Sequence, residues 1–487
     1  MKILLVQPPP PTDYIGFRRT ALPEPLALET IAAIAQPNHD VRILDLRLPG
    51  FATAEPALRL GGAEPGSMAE TIGQFQPDMV GATCLTTDVY SARDLLAEVK
   101  RLRPEAFTVM GGLHASLLPA DFEFPYVDAI VIGEGEATFR DLLEALDRAA
   151  GKPAADALGS VDSLAWRRGE NDWVFNRDRA LLPSLDVLPM PARDLVARYA
   201  PDYFFLFDKP HTVVATSRGC PFRCNFCSVW KFYHKKCRYA SAERVVAEIE
   251  TINTRTIGFV DDNFLANVPR AHKIADMIRE RGIKKEFGMQ ARTDTISRHP
   301  DLLAKWREVG LETILIGFEG ASQKHLDAVA KGATIEQNER AMDILNGLRV
   351  HMWGAFIVDP QWTREDFRQL KAYREEKGII YPQFTILTPL PGTDLYDEKY
   401  DELVTHDYRL FDALHAVLPT RLPREEFYKE FAGLYRPDNL GLIYDWISSG
   451  RITMERARKA REILMELGKP ENFLQGERAV GLTTAIR

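Results

Sequence analysis

Three cysteines, Cys220, Cys224 and Cys227, lie within eight positions of a chain that has five cysteines in all. They stand in the run Thr216-Ser-Arg-Gly-Cys-Pro-Phe-Arg-Cys-Asn-Phe-Cys227. Soft thiolate sulfur suits iron–sulfur centres. Three thiolates can hold three irons of a four-iron four-sulfur (4Fe-4S) cluster and leave the fourth iron free to take a substrate. Zinc is the competing reading, with a metal-free structural cluster as a third. Structural zinc sites are closed by four ligands, often as paired Cys-x-x-Cys units, and His234 or Cys237 is near enough in sequence to be a fourth ligand.

Cys-x-x-x-Cys-x-x-Cys with an aromatic, Phe226, before the last cysteine resembles the signature of the radical S-adenosylmethionine superfamily. The resemblance implies that the open iron chelates the amino and carboxylate groups of S-adenosylmethionine. One electron then breaks the sulfonium C–S bond to give a 5′-deoxyadenosyl radical. It also implies an oxygen-sensitive, strongly reducing cluster served by an electron donor such as flavodoxin or ferredoxin. Cluster potentials span about −700 to +450 mV, set by charge, hydrogen bonds and exposure. Phe226 would pack on the adenine side, the plain alternative being a core aromatic.

The elements that must position these residues read as α/β. From residue 211 to about 395, strand candidates at 212–216, 257–260, 287–291, 313–316, 352–358 and 383–388 alternate with helical stretches at 242–251, 270–280, 300–308, 337–348 and 363–376. About six such units suit a partial parallel (β/α)6 barrel, whose strand carboxyl ends carry the functional residues. The exits are polar: Asp261 and Asp262, then Arg292 and Asp294, then Glu319 within Gly317-Phe-Glu-Gly320. By the resemblance, Asp261 and Asp262 stand where the S-adenosylmethionine amino group is met. Arg292, Asp294 and Glu319 could reach its ribose or carboxylate. Helix caps and ion pairs are the ordinary alternatives for Asp262 and Asp294.

Residues 1–150 alternate likewise, with strands expected at 2–6, 40–44, 78–84, 107–111 and 129–133 and helices at 26–35, 92–101 and 138–149. That pattern predicts a doubly wound parallel sheet with its ligand outside the strand carboxyl ends. Gly111-Gly-Leu-His-Ala-Ser116 and Gly133-Glu-Gly-Glu136 fall there. Together with the cysteine motif, the unit resembles the cobalamin-binding domain that precedes many radical S-adenosylmethionine domains. By that resemblance Thr86, Thr87, Gly112, His114, Gly133, Glu134 and Gly135 contact cobalamin. Many cobalamin proteins carry Asp-x-His-x-x-Gly, but here the run is Asp45-Leu-Arg-Leu-Pro-Gly50, without the histidine. The lower corrin face is therefore expected against the 83–90 loop; His114 is a candidate cobalt ligand but is expected rather to support that loop, and Cys84 to be a small buried residue rather than a cobalt ligand.

Residues 151–210 read as a linker with a hairpin around Arg168-Gly-Glu-Asn, and residues 396–487 as a helical C-terminal region. The 487-residue chain is 45% hydrophobic and carries 61 basic against 69 acidic residues, a net charge of −8. That balance argues against a nucleic-acid-binding surface. No run approaches the roughly 20 apolar residues of a membrane span, and the cysteine usage points to a reducing, cytoplasmic setting. The stretch Cys227-Ser-Val-Trp-Lys-Phe-Tyr233 resembles the branch of hopanoid methylases and anaerobic magnesium-protoporphyrin ester cyclase. The branch implies a methyltransferase acting on an unactivated carbon of a small, hydrophobic substrate. The rivals are a same-cofactor oxidase or cyclase, a cluster enzyme without cobalamin, and a zinc-binding interaction protein.

Overall fold

Strand β1 (Lys2–Gln7) buries Ile3, Leu4, Leu5 and Val6 in succession. A strand apolar on both faces must be covered on both sides, which a parallel sheet flanked by helices provides. The computed structural model describes residues 1–10, 20–48, 67–148, 155–170, 172–436, 447–448 and 452–481, and builds that arrangement twice. Chain contacts define two units, Met1–Tyr14 with Glu24–Ala200 and Ile15–Pro23 with Pro201–Arg487.

In the first unit, β2 (Asp40–Asp45), β3 (Met79–Thr83), β4 (Phe107–Gly111) and β5 (Ala129–Val131) join β1 in the order β2-β1-β3-β4-β5, all parallel. Helices α1 (Leu26–Ala35), α2 (Met68–Phe75), α3 (Val89–Leu102) and the short α4 (Leu113–Leu117) connect them, and α5 (Gly135–Arg148) follows β5. The order reverses between β1 and β3, and ligands of such sheets lie outside the strand carboxyl ends at that switch. The segment read as a linker supplies two more strands. β6 (Leu164–Arg167) and β7 (Trp173–Phe175) form the expected hairpin and extend the sheet antiparallel from β5. Leu164 and Ala165, adjacent and so on opposite faces of β6, are both fully buried, so this strand is covered on both sides. Residues 49–50, 149–150 and 482–487, on which some sequence readings fell, lie outside the described residues.

In the second unit β8 (His211–Val214), β9 (Thr256–Phe259), β10 (Glu286–Ala291), β11 (Leu311–Glu319), β12 (His351–Val358) and β13 (Tyr381–Ile386) pair in parallel and in chain order. β8 and β13 remain at opposite edges of the sheet, so the barrel is partial. Helices α6 (Ala242–Thr251), α7 (Val268–Glu280), α8 (Thr293–Arg298), α9 (Pro300–Glu308), α10 (Ile335–Gly347) and α11 (Arg364–Glu376) lie between the strands. Register sets the interior. Leu315, Trp353 and Tyr381 stand side by side on β11, β12 and β13, and two residues further on so do Gly317, Ala355 and Gln383. Phe205 packs edge-on to Trp353 at 4.9 Å between centroids and Phe207 lies 5.5 Å from Tyr381, so aromatic rings fill the strands' amino-terminal end. The smaller residues beyond leave space toward the carboxyl ends. Helices α12 (Arg424–Gly433), α13 (Met454–Leu467) and α14 (Pro470–Ala479) account for nearly half of the described C-terminal region.

Candidate functional site

The cysteine loop leaves the carboxyl end of β8, and Asp261 at the exit of β9 fixes its entry. This buried carboxylate accepts Thr216 N at 3.1 Å, Thr216 Oγ1 at 2.8 Å and the Ser217 hydroxyl. Burial pushes its carboxyl up, opposed by those hydrogen bonds. Ser217 and Arg218 then pair antiparallel with Tyr239 and Arg238, bracketing the loop. Within it, Cys227 N and Trp230 Nε1 both donate to Cys224 O, at 3.2 and 3.1 Å.

All three cysteines line one cavity of about 350 Å³ inside the second unit. Phe222, Phe226, Asp262, Gln290, Arg292, Glu319, Lys331, Gln383 and Thr385 share its wall, with Leu315, Ala355, Ile357, Ile386 and Leu387 among its apolar lining. Of the residues expected from sequence, Phe226, Asp262, Arg292 and Glu319 meet the cysteines there. Asp261 and Asp294 do not stand on that wall. Asp261 binds the loop, and Asp294 accepts Arg292 Nε at 3.1 Å and the Arg298 guanidinium at 2.9 Å.

Charge in the cavity is organised in pairs. Arg292 stacks its guanidinium 3.5 Å from the Phe222 centroid, places Nη1 3.9 Å from Cys224 Sγ and donates to Lys331 O at 2.7 Å. Lys331 Nζ meets Glu319 Oε1 at 2.5 Å, and both side chains are 8% exposed. Glu319 has a φ of 61° beside a register shift in β11, an irregularity that re-aims a strand-end side chain. Burial, then the neighbouring Asp261, pushes the Asp262 carboxyl up to about 6. Lys331, Gln290 and Gln383 were not singled out by sequence. The two glutamines follow from strand alternation once the register is known. Lys331 sits in Ala328-Val-Ala-Lys-Gly332, which carries no local sign of burial.

The donor set fits an iron–sulfur cluster. A cluster spreads three thiolates over three irons, whereas zinc gathers its ligands on one ion. Among the described residues, no three His, Cys, Asp or Glu side chains are grouped to hold a single metal ion. Burial raises the thiols of Cys220 and Cys227, the latter to about 12, so metal binding must displace their protons.

In the first unit the exits of β3, β4 and β5 are laced together. Cys84 N donates to Gly111 O at 3.1 Å and His114 N to Cys84 O at 3.3 Å. Ser116 Oγ donates to Gly112 O at 2.8 Å and accepts Gly133 N at 2.9 Å. The fully buried His114 ring joins Thr86 Oγ1 at 3.2 Å to Asp121 Oδ2 at 2.9 Å. With both nitrogens occupied it holds the loop. Thr87 Oγ1 contacts Asp88 Oδ1 at 3.3 Å. Burial raises the Cys84 thiol well above its ordinary value, which keeps it protonated. Gly112 has φ +101°, and a Cβ there would stand 2.6 Å from Thr83 Oγ1 and 2.7 Å from Cys84 N. Its small size therefore serves the packing of β4 against the β3 exit. Gly133, at φ +74°, has open space where its Cβ would stand, while a Cβ on Gly135 would meet Ile31 Cδ1 at 3.1 Å. Leu85, 56% exposed, projects from the same set of loops. Open space at Gly133, an apolar side chain and hydroxyls on fixed loops suit a broad, partly apolar ring such as a corrin.

Comparison with known proteins assigns a family to a stretch of each unit. The model of the radical SAM superfamily matches residues 214–374, and that of the B12 binding domain residues 16–143. Hopanoid C-3 methylase of Methylococcus capsulatus is 31% identical over 438 residues, covering 88% of this chain and 78% of that protein. Anaerobic magnesium-protoporphyrin IX monomethyl ester cyclase of Rubrivivax gelatinosus is 28% identical over 384 residues, covering 75% and 66%. The radical S-adenosylmethionine methyltransferase TsrM from Kitasatospora setae, solved with cobalamin and a [4Fe-4S] cluster bound, shares the fold. Its TM-score is 0.68 at 16% identity, over 96% of this chain and 99% of that one. A cysteine triad on a barrel cavity, a doubly wound unit before it and a relative similar over most of both chains agree: the chain belongs to the cobalamin-dependent radical S-adenosylmethionine methyltransferase family.

Proposed function

We propose that this enzyme methylates an unactivated carbon of a small, largely hydrophobic substrate. When bound, the cluster with S-adenosylmethionine supplies a hydrogen-abstracting 5′-deoxyadenosyl radical, and cobalamin supplies the methyl group. The observation that carries the reading is the cavity shared by Cys220, Cys224, Cys227 and the buried charges of Arg292, Glu319 and Lys331. Cys220, Cys224 and Cys227 hold the cluster. Asp262 accepts the S-adenosylmethionine ammonium, Arg292 and Lys331 offer cations to its carboxylate, Glu319 reaches the ribose, and Phe226 walls the adenine. Asp261 and Asp294 act one step back, on the loop and on Arg292. The apolar lining excludes water and admits an apolar substrate. In the first unit Gly133, Glu134, Thr86 and Thr87 present the loop edges to cobalamin, Leu85 covers part of the corrin, and Gly112, Gly135 and His114 hold those edges in place.

Resemblance to the magnesium-protoporphyrin ester cyclase supports a second reading, oxidation or cyclisation without methyl transfer. Mass spectrometry of anaerobic reactions separates the two. Candidate hydrophobic substrates should gain about 14 Da per methyl added, the mass of CH₂, as expected when the cofactors carry the bond chemistry. Loss of hydrogens with no gain would establish the second reading. The reducing electron comes from a one-electron carrier such as flavodoxin or ferredoxin.

A further inference from the structure

Beyond the cavity, the cluster loop is backed by a basic turn. Trp230, whose indole holds Cys224 O, lies beneath the ammonium groups of Lys231 and Lys235, at 5.8 and 5.6 Å from its ring. Lys231 is engaged by Asp394 at 2.6 Å and Asp397 at 3.3 Å. Lys235 and Lys236 are exposed, and neither has an acidic partner among the described residues. The turn has a fixed shape. His234 and Lys235 both adopt left-handed backbone, at φ 50° and 62°, and Lys235 N donates to Trp230 O at 2.6 Å. Its far side presses on the cysteine loop, since a Cβ on Gly219, the residue before Cys220, would stand 2.3 Å from Lys236 O. Two unpaired cations are thus held on the outer face of the loop that carries the cluster ligands.

We propose that the His234–Lys236 turn is the docking site of an acidic one-electron carrier protein. The inference rests on the radical reading above and names the partner it requires. Electron transfer between proteins weakens steeply with distance, so the useful surface is the one next to the ligand loop. The chain's net charge of −8 repels an acidic carrier on approach. Exposed Lys235 and Lys236 offer an acidic partner local cations beside the ligand loop, and such patches steer association. The step passes one electron from the reduced carrier to the centre held by Cys220, Cys224 and Cys227. The carrier ends one electron oxidised, and no covalent bond forms or breaks in the transfer.

Reduced flavodoxin, an acidic one-electron flavoprotein, and dithionite, a small reductant, test this on the reconstituted holoenzyme. Lys235→Glu/Lys236→Glu should slow flavodoxin-driven 5′-deoxyadenosine formation at low salt by about tenfold, with iron content and the dithionite-driven rate unchanged. Affinity for oxidised flavodoxin, followed by flavin fluorescence anisotropy, should fall by a similar factor without any turnover. In the unmodified enzyme, rising salt should slow the flavodoxin-driven reaction and leave the dithionite-driven one alone. This arm decides the question even for a variant that fails to take up its cluster. Equal flavodoxin affinity in parent and variant, or a salt-independent flavodoxin rate in the parent, overturns the docking site. Absence of dithionite-driven cleavage in the parent would instead sink the radical reading, with the binding arm still deciding the surface.

Discussion

Lys331 places an ammonium in the cavity wall with Glu319 as its counter-ion, both almost wholly buried. Removing one partner of such a pair leaves an uncompensated charge and costs about 3–5 kcal/mol. Lys331→Met should therefore lower the urea midpoint markedly and weaken S-adenosylmethionine binding. Lys331→Met/Glu319→Gln should recover most of the stability but not the binding. A single variant as stable as the parent would mean that water already screens the pair. For the cysteines, replacing Cys220, Cys224 or Cys227 by Ala should abolish both iron content and 5′-deoxyadenosine formation, because water cannot replace a soft ligand. Cys84→Ala and Cys237→Ala should retain the cluster, and iron loss in the Cys237 variant alone would revive a closed four-ligand site. Residue-scale chemistry was legible where spacing carries it. Sequence could not separate Asp261 from its neighbour Asp262, since only the backbone path sends one to Thr216 and Ser217 and the other to the cavity.

Among the elements, the strand exits of the first unit give the sharpest test. Gly112→Val must strain a φ of +101° and collide with Thr83 and Cys84, so it should unfold the β3–β4 corner along with any ligand site. Gly133 is the cleaner probe, because a side chain there meets nothing. A non-glycine residue held left-handed costs roughly 1–2 kcal/mol. Gly133→Val should lower cobalamin occupancy, with iron content and 5′-deoxyadenosine formation kept. Full cobalamin occupancy in that variant would move the corrin elsewhere.

In the barrel, burial depresses the His211 imidazole from 6.5 to about 4. Between those values the unfolded chain binds a proton that β8 refuses, so stability is lost as pH falls through that window. From pH 7 to 5 the loss is about 2 kcal/mol. The stability gap between parent and His211→Gln should narrow by that amount on acidification, as read by urea denaturation at the two pH values, and a constant gap would contradict the assignment. Element positions were largely legible, because buried parallel strands give unbroken apolar runs. Helix α2 was missed although its start carried a signal, with Ser67 Oγ accepting Glu70 N at 3.2 Å. The bulge that turns Glu319 inward had none, since register shifts arise from pairing.

At the scale of the whole molecule, two parallel α/β units divide the labour, one with a cysteine cavity and one with laced strand exits. Their alternation gave the fold class, while the hairpin's membership in the first sheet depended on burial that composition does not show. No helix among the described residues is long and apolar enough to cross a membrane. The central claim, that one chain couples a reducing cluster to cobalamin for methylation, is tested most directly by a single anaerobic sample. The protein is reconstituted with iron, sulfide and hydroxocobalamin, reduced, and supplied with S-adenosylmethionine. About four irons and a corrinoid absorption band should appear together on the chain. 5′-Deoxyadenosine should be released by cleavage at the cluster, and S-adenosylhomocysteine by methylation of the reduced corrinoid. A sample that binds zinc in place of iron, or that releases 5′-deoxyadenosine while taking up no cobalamin and forming no S-adenosylhomocysteine, would contradict it.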